Sequence, residues 1–565
     1  MAKIKVRART VDMLGRQQIA GIPTAISELF KNAHDAYADK VEVDFYRHDQ
    51  LFVLRDNGNG MTNEEFLERW LTLGTESKLA EKGGIALPSK GKNQRRRAIL
   101  GEKGIGRLAV ASIGNNLLVL TRPKYPPTNS KDKITVGLLS WPIFALPGLD
   151  ISEIEVPTVC LPKTRLPSSD DVKKLIEEAI ENLSSISSKI SDKLTNPILR
   201  SLENFDVDPN TAESFLPSKD LSLLEGGGTH FFTKPADPML ADDLDSQDEK
   251  TASPLVKMLI GFTNTILPDY EPPIVAKFRD YKSDGVCSHV IDESEFFTTD
   301  EFESSDHHFK GTFDKFGQFS GSVQIYGKKK KYVCNWPDST GVPTKCGPFG
   351  FDVAYVQGTK RESMLPPENW GRLVAKLDKI GGLYIYRDDV RVLPYGDSDY
   401  DFLNIEKRRT KSAGYYFFSF RRMFGGVRLS RKDNSELQEK AGREGFRQNK
   451  AYRQFKNILE NFFIQLAADF FREEGKHGEI YEQQREELNR NEELRKKRES
   501  KARQRRKAFK EELESFFDEV GNETPEEQSA KIISNAKFEI KRISKTPGQK
   551  LLPVVVLRIE QEAKQ

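Results

Sequence analysis

Hydrophobic positions recur along this chain with two periods, and the switches between them mark out its elements. In residues 28–45, ELFKNAHDAYADKVEVDF, the residues Leu29, Phe30, Ala33, Ala36 and Tyr37 follow helical spacing, and Val41, Val43 and Phe45 then alternate as in a half-buried strand. Leu51, Phe52 and Val53 predict a second strand, closed by Asn57-Gly58-Asn59-Gly60, whose simplest reading is a hairpin turn. Helical and strand patterns go on alternating to about residue 122, with glycine-rich joints at 56–61, 83–84 and 101–106. The texture then turns polar to about residue 225. There DVKKLIEEAIENLSSISSKISDKL predicts helix, so a helical insertion over about 160–225 leads back to a strand at GGGTHFFT.

Residues 236–252 are acidic and linker-like. From 253 to 473 the pattern is mixed α/β, with strands expected in SGSVQIYG, FGFDVAYVQG and GGLYIYRDDVRVLPYG and a helix at 447–473. Glu, Gln, Arg and Lys dominate residues 474–525, where Leu488 and Leu494 are nearly the only aliphatic residues before Leu513. The heptad seam is therefore weak, and a solvated helix and a coiled coil both fit. A last segment, 526–565, contains the apolar run LLPVVVLRIE. The expected organisation is thus an α/β domain over 1–235, a linker, a second α/β domain over 253–473, a charged helix and a C-terminal segment.

Composition narrows the classes. At 565 residues the chain has room for roughly three or four domains. A net charge of +3 is close to neutral for this length, so overall charge does not point to nucleic acid, although local basic runs can. The cysteines, at 160, 287, 334 and 346, are scattered without a CxxC pair, which argues against a disulfide scaffold or a tetrathiolate zinc site. No apolar run is long enough to cross a membrane, so a soluble, cytoplasmic protein without membrane partners is expected.

Three stretches carry candidate chemistry. Glu28, Asn32 and Asp35 fall at i, i+4 and i+7, on one face of the first helix, where a solvated face is the ordinary reading. In VLRDNGNGMT, Asp56 at a strand end can accept a hydrogen bond from an adenine amino group. Gly58 and Gly60 let backbone approach the base, and Met61 offers a soft apolar contact. In GEKGIGRLAVASIG, Gly101, Gly104 and Gly106, with Lys103 and Ile105 between them, precede an apolar helix, an arrangement suited to phosphate. Their order reverses the dinucleotide fingerprint, and no GxxxxGK[ST] occurs, so neither a Rossmann site nor a P-loop is supported.

Taken in order, and with Gly228-Thr229 as a fourth element, these motifs resemble those of the GHKL ATPases, the superfamily of gyrase B, the ninety-kilodalton heat-shock chaperone, histidine kinases, MutL and MORC proteins. The layout is closest to prokaryotic MORC-like or heat-shock-chaperone-like ATPases. The family pattern E-x-x-x-N-x-x-D-A matches Glu28, Asn32, Asp35 and Ala36, and D-x-G-x-G-M matches Asp56, Gly58, Gly60 and Met61. The resemblance implies a Bergerat-type α/β sandwich that binds ATP and Mg²⁺, followed by an α/β transducer domain and a helical, coiled-coil-capable C-terminal region. It gives Glu28 the role of general base, Asn32 that of Mg²⁺ ligand and Asp35 that of supporting this shell. Asp56 reads adenine, and Thr229 supports a water between them.

The lid of the family corresponds to about 74–100, with Thr75, Ser77 and Lys78 near phosphate. Its basic run, Lys90, Lys92, Arg95, Arg96 and Arg97, is a candidate contact for duplex DNA. Arg443, in LQEKAGREGF, resembles the chaperone arginine that reaches the γ-phosphate, with Arg387 and Arg391 as alternatives. No histidine precedes Glu28, which disfavours a histidine kinase. The implied function is a Mg²⁺-dependent ATPase working as an ATP-gated homodimeric clamp on DNA, a task that in prokaryotic relatives belongs to defence against foreign DNA. A chaperone-like clamp on protein clients, a protein partner held by the helical tail, and an ATP-binding scaffold with little turnover are the alternatives.

Overall fold

The computed structural model describes residues 5–520 apart from 20, 74–96, 102–105, 127–131, 187–189, 217, 247–250, 267–270, 293–294 and 441–443, together with Glu527, Ala530 and Ser534. The chain divides into two compact units, Met1–Arg485 and Glu486–Gln565. Two β-sheets organise the first. Its eight-stranded sheet contains β1 (Lys40–Tyr46), β2 (Leu51–Asp56), β3 (Gly114–Arg122), β4 (Lys133–Ser140), β5 (Thr158–Pro162), β6 (Gly228–Ala236), β7 (Val275–Tyr281) and β8 (Cys287–Ile291). Across the sheet they run β5-β4-β3-β6-β2-β1-β7-β8. All neighbours are antiparallel except β1 and β7.

Three features of this sheet depart from the sequence reading. β1 is not half-buried. Val41–Phe45 are all buried, because Glu42 and Asp44 on the second face are paired with arginines. Arg279 of β7 meets Glu42 at 2.6 Å and Asp44 at 2.7 Å, and Arg55 of β2 also pairs with Asp44. A buried carboxylate is tolerable only with such compensation. The turn after Asp56 does not close a hairpin, since β2 has β1 and β6 as its neighbours. Finally, β7 and β8 lie beyond residue 253 yet belong to the first sheet, and the stretch read as a linker holds a helix at Met239–Asp245.

Helix α1 (Ile22–Asp35) starts at Ile22-Pro23, where proline's missing N–H costs nothing. Its apolar stripe, Ile22, Ala25, Ile26, Leu29, Phe30 and Ala33, is buried, and Phe30 meets Phe262 edge-on with ring centroids 5.4 Å apart. Each large side chain buried in this way contributes about 2 kcal/mol. The polar insertion forms α2 (Ser169–Ile186) and α3 (Asp192–Glu203), each burying one stripe.

The seven-stranded second sheet has the order β11-β10-β9-β12-β15-β13-β14. Its strands are β9 (His307–Phe313), β10 (Phe319–Ile325), β11 (Lys328–Cys334), β12 (Phe349–Tyr355), β13 (Tyr384–Arg387), β14 (Val390–Arg391) and β15 (Met423–Leu429), so the three expected strand stretches all form strands. Helix α4 (Lys450–Phe470) lies within the expected helix and packs aromatic on aromatic against this sheet. Phe462 meets Phe313, Phe319 and Phe351 at 4.5 to 5.3 Å, and Phe455 meets Phe349 at 5.0 Å. Helix α5 (Gly478–Val520) follows. Among the described residues no helix is long and apolar enough to cross a membrane.

Candidate nucleotide site

Residues on one face of α1 meet the glycine segment. Glu28 is 7% exposed, and its Oε1 accepts a hydrogen bond from the equally buried Lys31 at 3.2 Å. A Cβ placed on Gly106 would stand 3.2 Å from Glu28 Oε2 and 3.7 Å from Asn32 Oδ1. The glycine therefore lets backbone come directly over the Glu28–Asn32 pair, and the solvated-face reading of these residues fails. Asp35, one turn on, is used differently. Its Oδ1 accepts from the Leu100 N–H at 2.8 Å and its Oδ2 from the Gly101 N–H at 2.9 Å, so it fixes the start of the glycine segment. The expected apolar helix after the glycines is a tight 3-10 turn, Gly106–Ser112, with Leu108, Ala109, Val110 and Ala111 buried.

The second half of the site gathers at the ends of β2, β3 and β6. Asp56 is paired in register with Thr229, and its Oδ1 accepts from the Gly58 N–H at 2.9 Å. Burial pushes its carboxyl up to about 7, opposed by the backbone N–H groups of Gly58 and Thr229. Gly60 has φ +59°, and a Cβ there would fall 1.8 Å from the Arg122 carbonyl oxygen, so only glycine can make this turn. Asn57 anchors it by accepting from the N–H groups of Asp39 and Lys40, both at 2.9 Å. The Met61 N–H donates to Thr121 Oγ1 at 3.0 Å, and that hydroxyl lies 3.1 Å from both the Gly228 carbonyl and Thr229 Oγ1.

Thus Glu28, Asn32 and Gly106 form one group, and Asp56, Gly58, Gly60, Met61 and Thr229 another. Thr75, Ser77, Lys78, Lys90, Lys92, Arg95, Arg96, Lys103, Gly104, Ile105 and Arg443 lie outside the described residues. Arg97 is not a lid cation awaiting a partner. It donates to the Ala38 carbonyl at 2.6 Å, pairs with Asp39 at 3.0 Å and sits over the Tyr37 ring, and burial lowers its pKa. Arg387 and Arg391 are likewise committed. Arg387 donates to the Leu437 carbonyl and pairs with Glu439, while Arg391 binds the carbonyls of Lys257, Ile260 and Tyr395.

Sequence reasoning missed Lys31, Thr121 and Asn59. A lysine beside a glutamate reads as surface, and Thr121 is a single hydroxyl closing an apolar strand. Both side-chain polar atoms of Asn59, a residue 6% exposed, are buried with no hydrogen-bond partner among the described residues. An unsatisfied carboxamide in the turn that follows Asp56 suits a ligand with polar edges, such as a purine. The donor set also fits Mg²⁺. Among the described residues no cluster of three or more His, Cys, Asp or Glu side chains could hold an ion, but Mg²⁺ bound through phosphates needs few protein ligands, and the Asn32 carboxamide oxygen beside Gly106 is suited to be one.

Residues 21–143 match the family described as Histidine kinase-, DNA gyrase B-, and HSP90-like ATPase. The crystal structure of the N-terminal domain of a DNA repair protein covers 81% of this chain and 97% of its own at 12% identity and a TM-score of 0.40, a likeness too loose to bear on function. No curated protein matches the chain.

Proposed function

We propose that this chain, which carries a GHKL-type ATPase domain over residues 21–143, hydrolyses ATP with Mg²⁺ and uses the cycle to close a homodimeric clamp on duplex DNA. The observation that carries the reading is the approach of Gly106 to Glu28 and Asn32. It sets a backbone able to face phosphate against a carboxylate and a carboxamide. In this reading Glu28 orients the attacking water and takes its proton, and Lys31 holds the carboxylate in place. Asn32 would hold the metal, which when bound offsets phosphate charge. Asp56 accepts from the adenine amino group, aligned by Gly58 and by Thr229. The Thr121 hydroxyl, bonded to Met61 and Thr229, keeps the ends of β3 and β6 together around the base.

Asp35 ties α1 to Leu100 and Gly101, so a shift of the glycine segment on binding phosphate is felt by the helix carrying Glu28. The basic run from Lys90 to Arg96 supports DNA as the object of the clamp, with defence against foreign DNA as the setting. The test is phosphate release measured against enzyme concentration, with and without duplex DNA. Specific activity should rise with enzyme concentration, as dimeric closure requires, and rise again with DNA. Absence of turnover under all conditions would leave only a binding scaffold. Turnover indifferent to DNA would move the object of the clamp to proteins.

A further inference from the structure

Residues 495–510, RKKRESKARQRRKAFK, hold ten Lys or Arg and a single Glu. They lie within α5, and all ten cations are exposed. The flanks are opposite in sign. Residues 479–494 carry six Glu and two Arg, and 511–519 carry five acidic residues and no Lys or Arg. A helix that needed only to be solvated would gain nothing from this segregation. It costs helix stability, because Lys497–Lys501, Lys501–Arg505, Arg503–Lys507 and Arg506–Lys510 are like-charged pairs at i, i+4. Ion pairs engage only the cations at the ends, with Arg495 on Glu492 at 2.8 Å and on Glu499 at 3.3 Å, Lys507 on Glu511 at 3.6 Å and Lys510 on Glu514 at 3.4 Å. The cations from Lys496 to Arg506 form no ion pair among the described residues.

We propose that this stretch is a binding element for duplex DNA that works without nucleotide. Sixteen helical residues span about 24 Å, and at about 100° per residue the cations point to all sides. A helix lying in the major groove of B-DNA has phosphates along both walls, so cations on both of its flanks find partners there. Other occupants fit less well. A membrane surface asks for an apolar face, and only Ala502, Ala508 and Phe509 are apolar here. A second copy aligned in parallel along the whole helix would set the basic stretch against itself, and an antiparallel one would still set residues 495–503 against their own copy. Duplex RNA has a major groove too narrow for a helix. The inference shares with the proposed function only the class of partner, since it places the contact outside the ATPase domain.

The experiment uses the full-length chain without nucleotide and a fluorescent DNA duplex of about 20 base pairs, titrated over a range of salt. Wild type should bind, with an affinity that falls steeply with salt. Arg503→Gln/Arg505→Gln/Arg506→Gln should flatten the log–log salt slope by about two to three, at about 0.9 per lost phosphate contact. Basal ATP turnover and helix content by circular dichroism should not change. An unaltered slope in the variant overturns the proposal, as does binding of duplex RNA or phosphatidylserine vesicles as tight as that of DNA. Binding seen only with an ATP analogue, and sensitive to charge reversal at Lys90, Lys92, Arg95 and Arg96 but not to this variant, leaves the lid reading standing and removes this one. A chain that never turns over ATP but passes the salt test keeps this inference and loses the other.

Discussion

Arg431 donates from Nη2 to the carbonyl oxygen of Leu100 at 2.8 Å, joining the loop after β15 of the second sheet to the start of the glycine segment of the first. Leu100 also gives its N–H to Asp35, so α1 and the loop after β15 grip one residue through its two backbone polar groups. Asp388 orients the arginine, lying within 3.7 Å of Nε and accepting from the Arg431 backbone N–H. Arg431→Ala removes one charge-assisted bond, worth about 1.5 kcal/mol. It should weaken binding of an ATP analogue roughly tenfold by calorimetry, with Arg431→Lys recovering part. Unchanged affinity would reduce the contact to packing.

Glu28 has two separable roles. Glu28→Gln should bind ATP and turn it over at least about a hundredfold more slowly, the scale for loss of a general base. Glu28→Ala should also lower the melting temperature, because the buried Lys31 loses its partner, at a cost of about 3–5 kcal/mol. Adding Lys31→Met should restore the melting temperature and leave turnover at the low level. Thermal unfolding and phosphate release on the three variants decide this, and recovery of both together would make Glu28 merely structural.

Asp56 gives the site a pH dependence of definite sign. Its carboxyl holds a proton up to about pH 7 in the folded chain, against the usual 3.8. The stability this confers is complete below about pH 4 and lost as pH rises through 7. The ionised carboxylate accepts more strongly from an adenine amino group than the neutral acid does, so ATP affinity should fall as pH drops below 7, with a proton released on binding. Asp56→Asn should bind far more weakly at every pH and lack this component, while the nucleotide's own phosphate titration stays common to both proteins. Calorimetry in buffers of different ionisation enthalpy reads the proton count.

The glycines should differ in kind. Gly60→Ala forces a Cβ into the Arg122 carbonyl at a positive φ, and should unfold the turn and abolish binding. Gly106→Ala meets the tip of Glu28 at 3.2 Å, which can give slightly, and the Asn32 carboxamide only at ordinary contact distance, 3.7 Å. It should keep the melting temperature within a few degrees and cut turnover more than binding, a split that kcat and KM report directly.

The site was legible in the sequence where residue type and spacing do one job. Glu28 with Asn32 at helical spacing, and Asp56 before two glycines, are the residues the structure gathers at the glycine segment and the strand ends. Periodicity put Asp35 on the face of Glu28 and Asn32, and the family resemblance gave it a supporting role beside the metal; in the structure it accepts from the backbone of Leu100 and Gly101, partners that no spacing encodes. Thr121 and Arg431 act through strands and loops distant in sequence, and pairings such as Thr121 with Thr229 exist only once the sheet order is known. Burial of β1 on both faces was illegible for the same reason, since Arg279 arrives more than two hundred residues later.

That late arrival sets a schedule for biosynthesis. While a nascent chain has emerged only as far as residue 252, β1 has no strand to pair with on its outer side. Its edge lies bare, and Glu42 still awaits its cation. Such an edge is where neighbouring chains on a polysome would pair. Emergence of residues 275–281 covers β1 in parallel register and delivers Arg279 to Glu42 and Asp44 in one step. The first sheet is therefore sealed only by translation of the segment that leads into the second sheet.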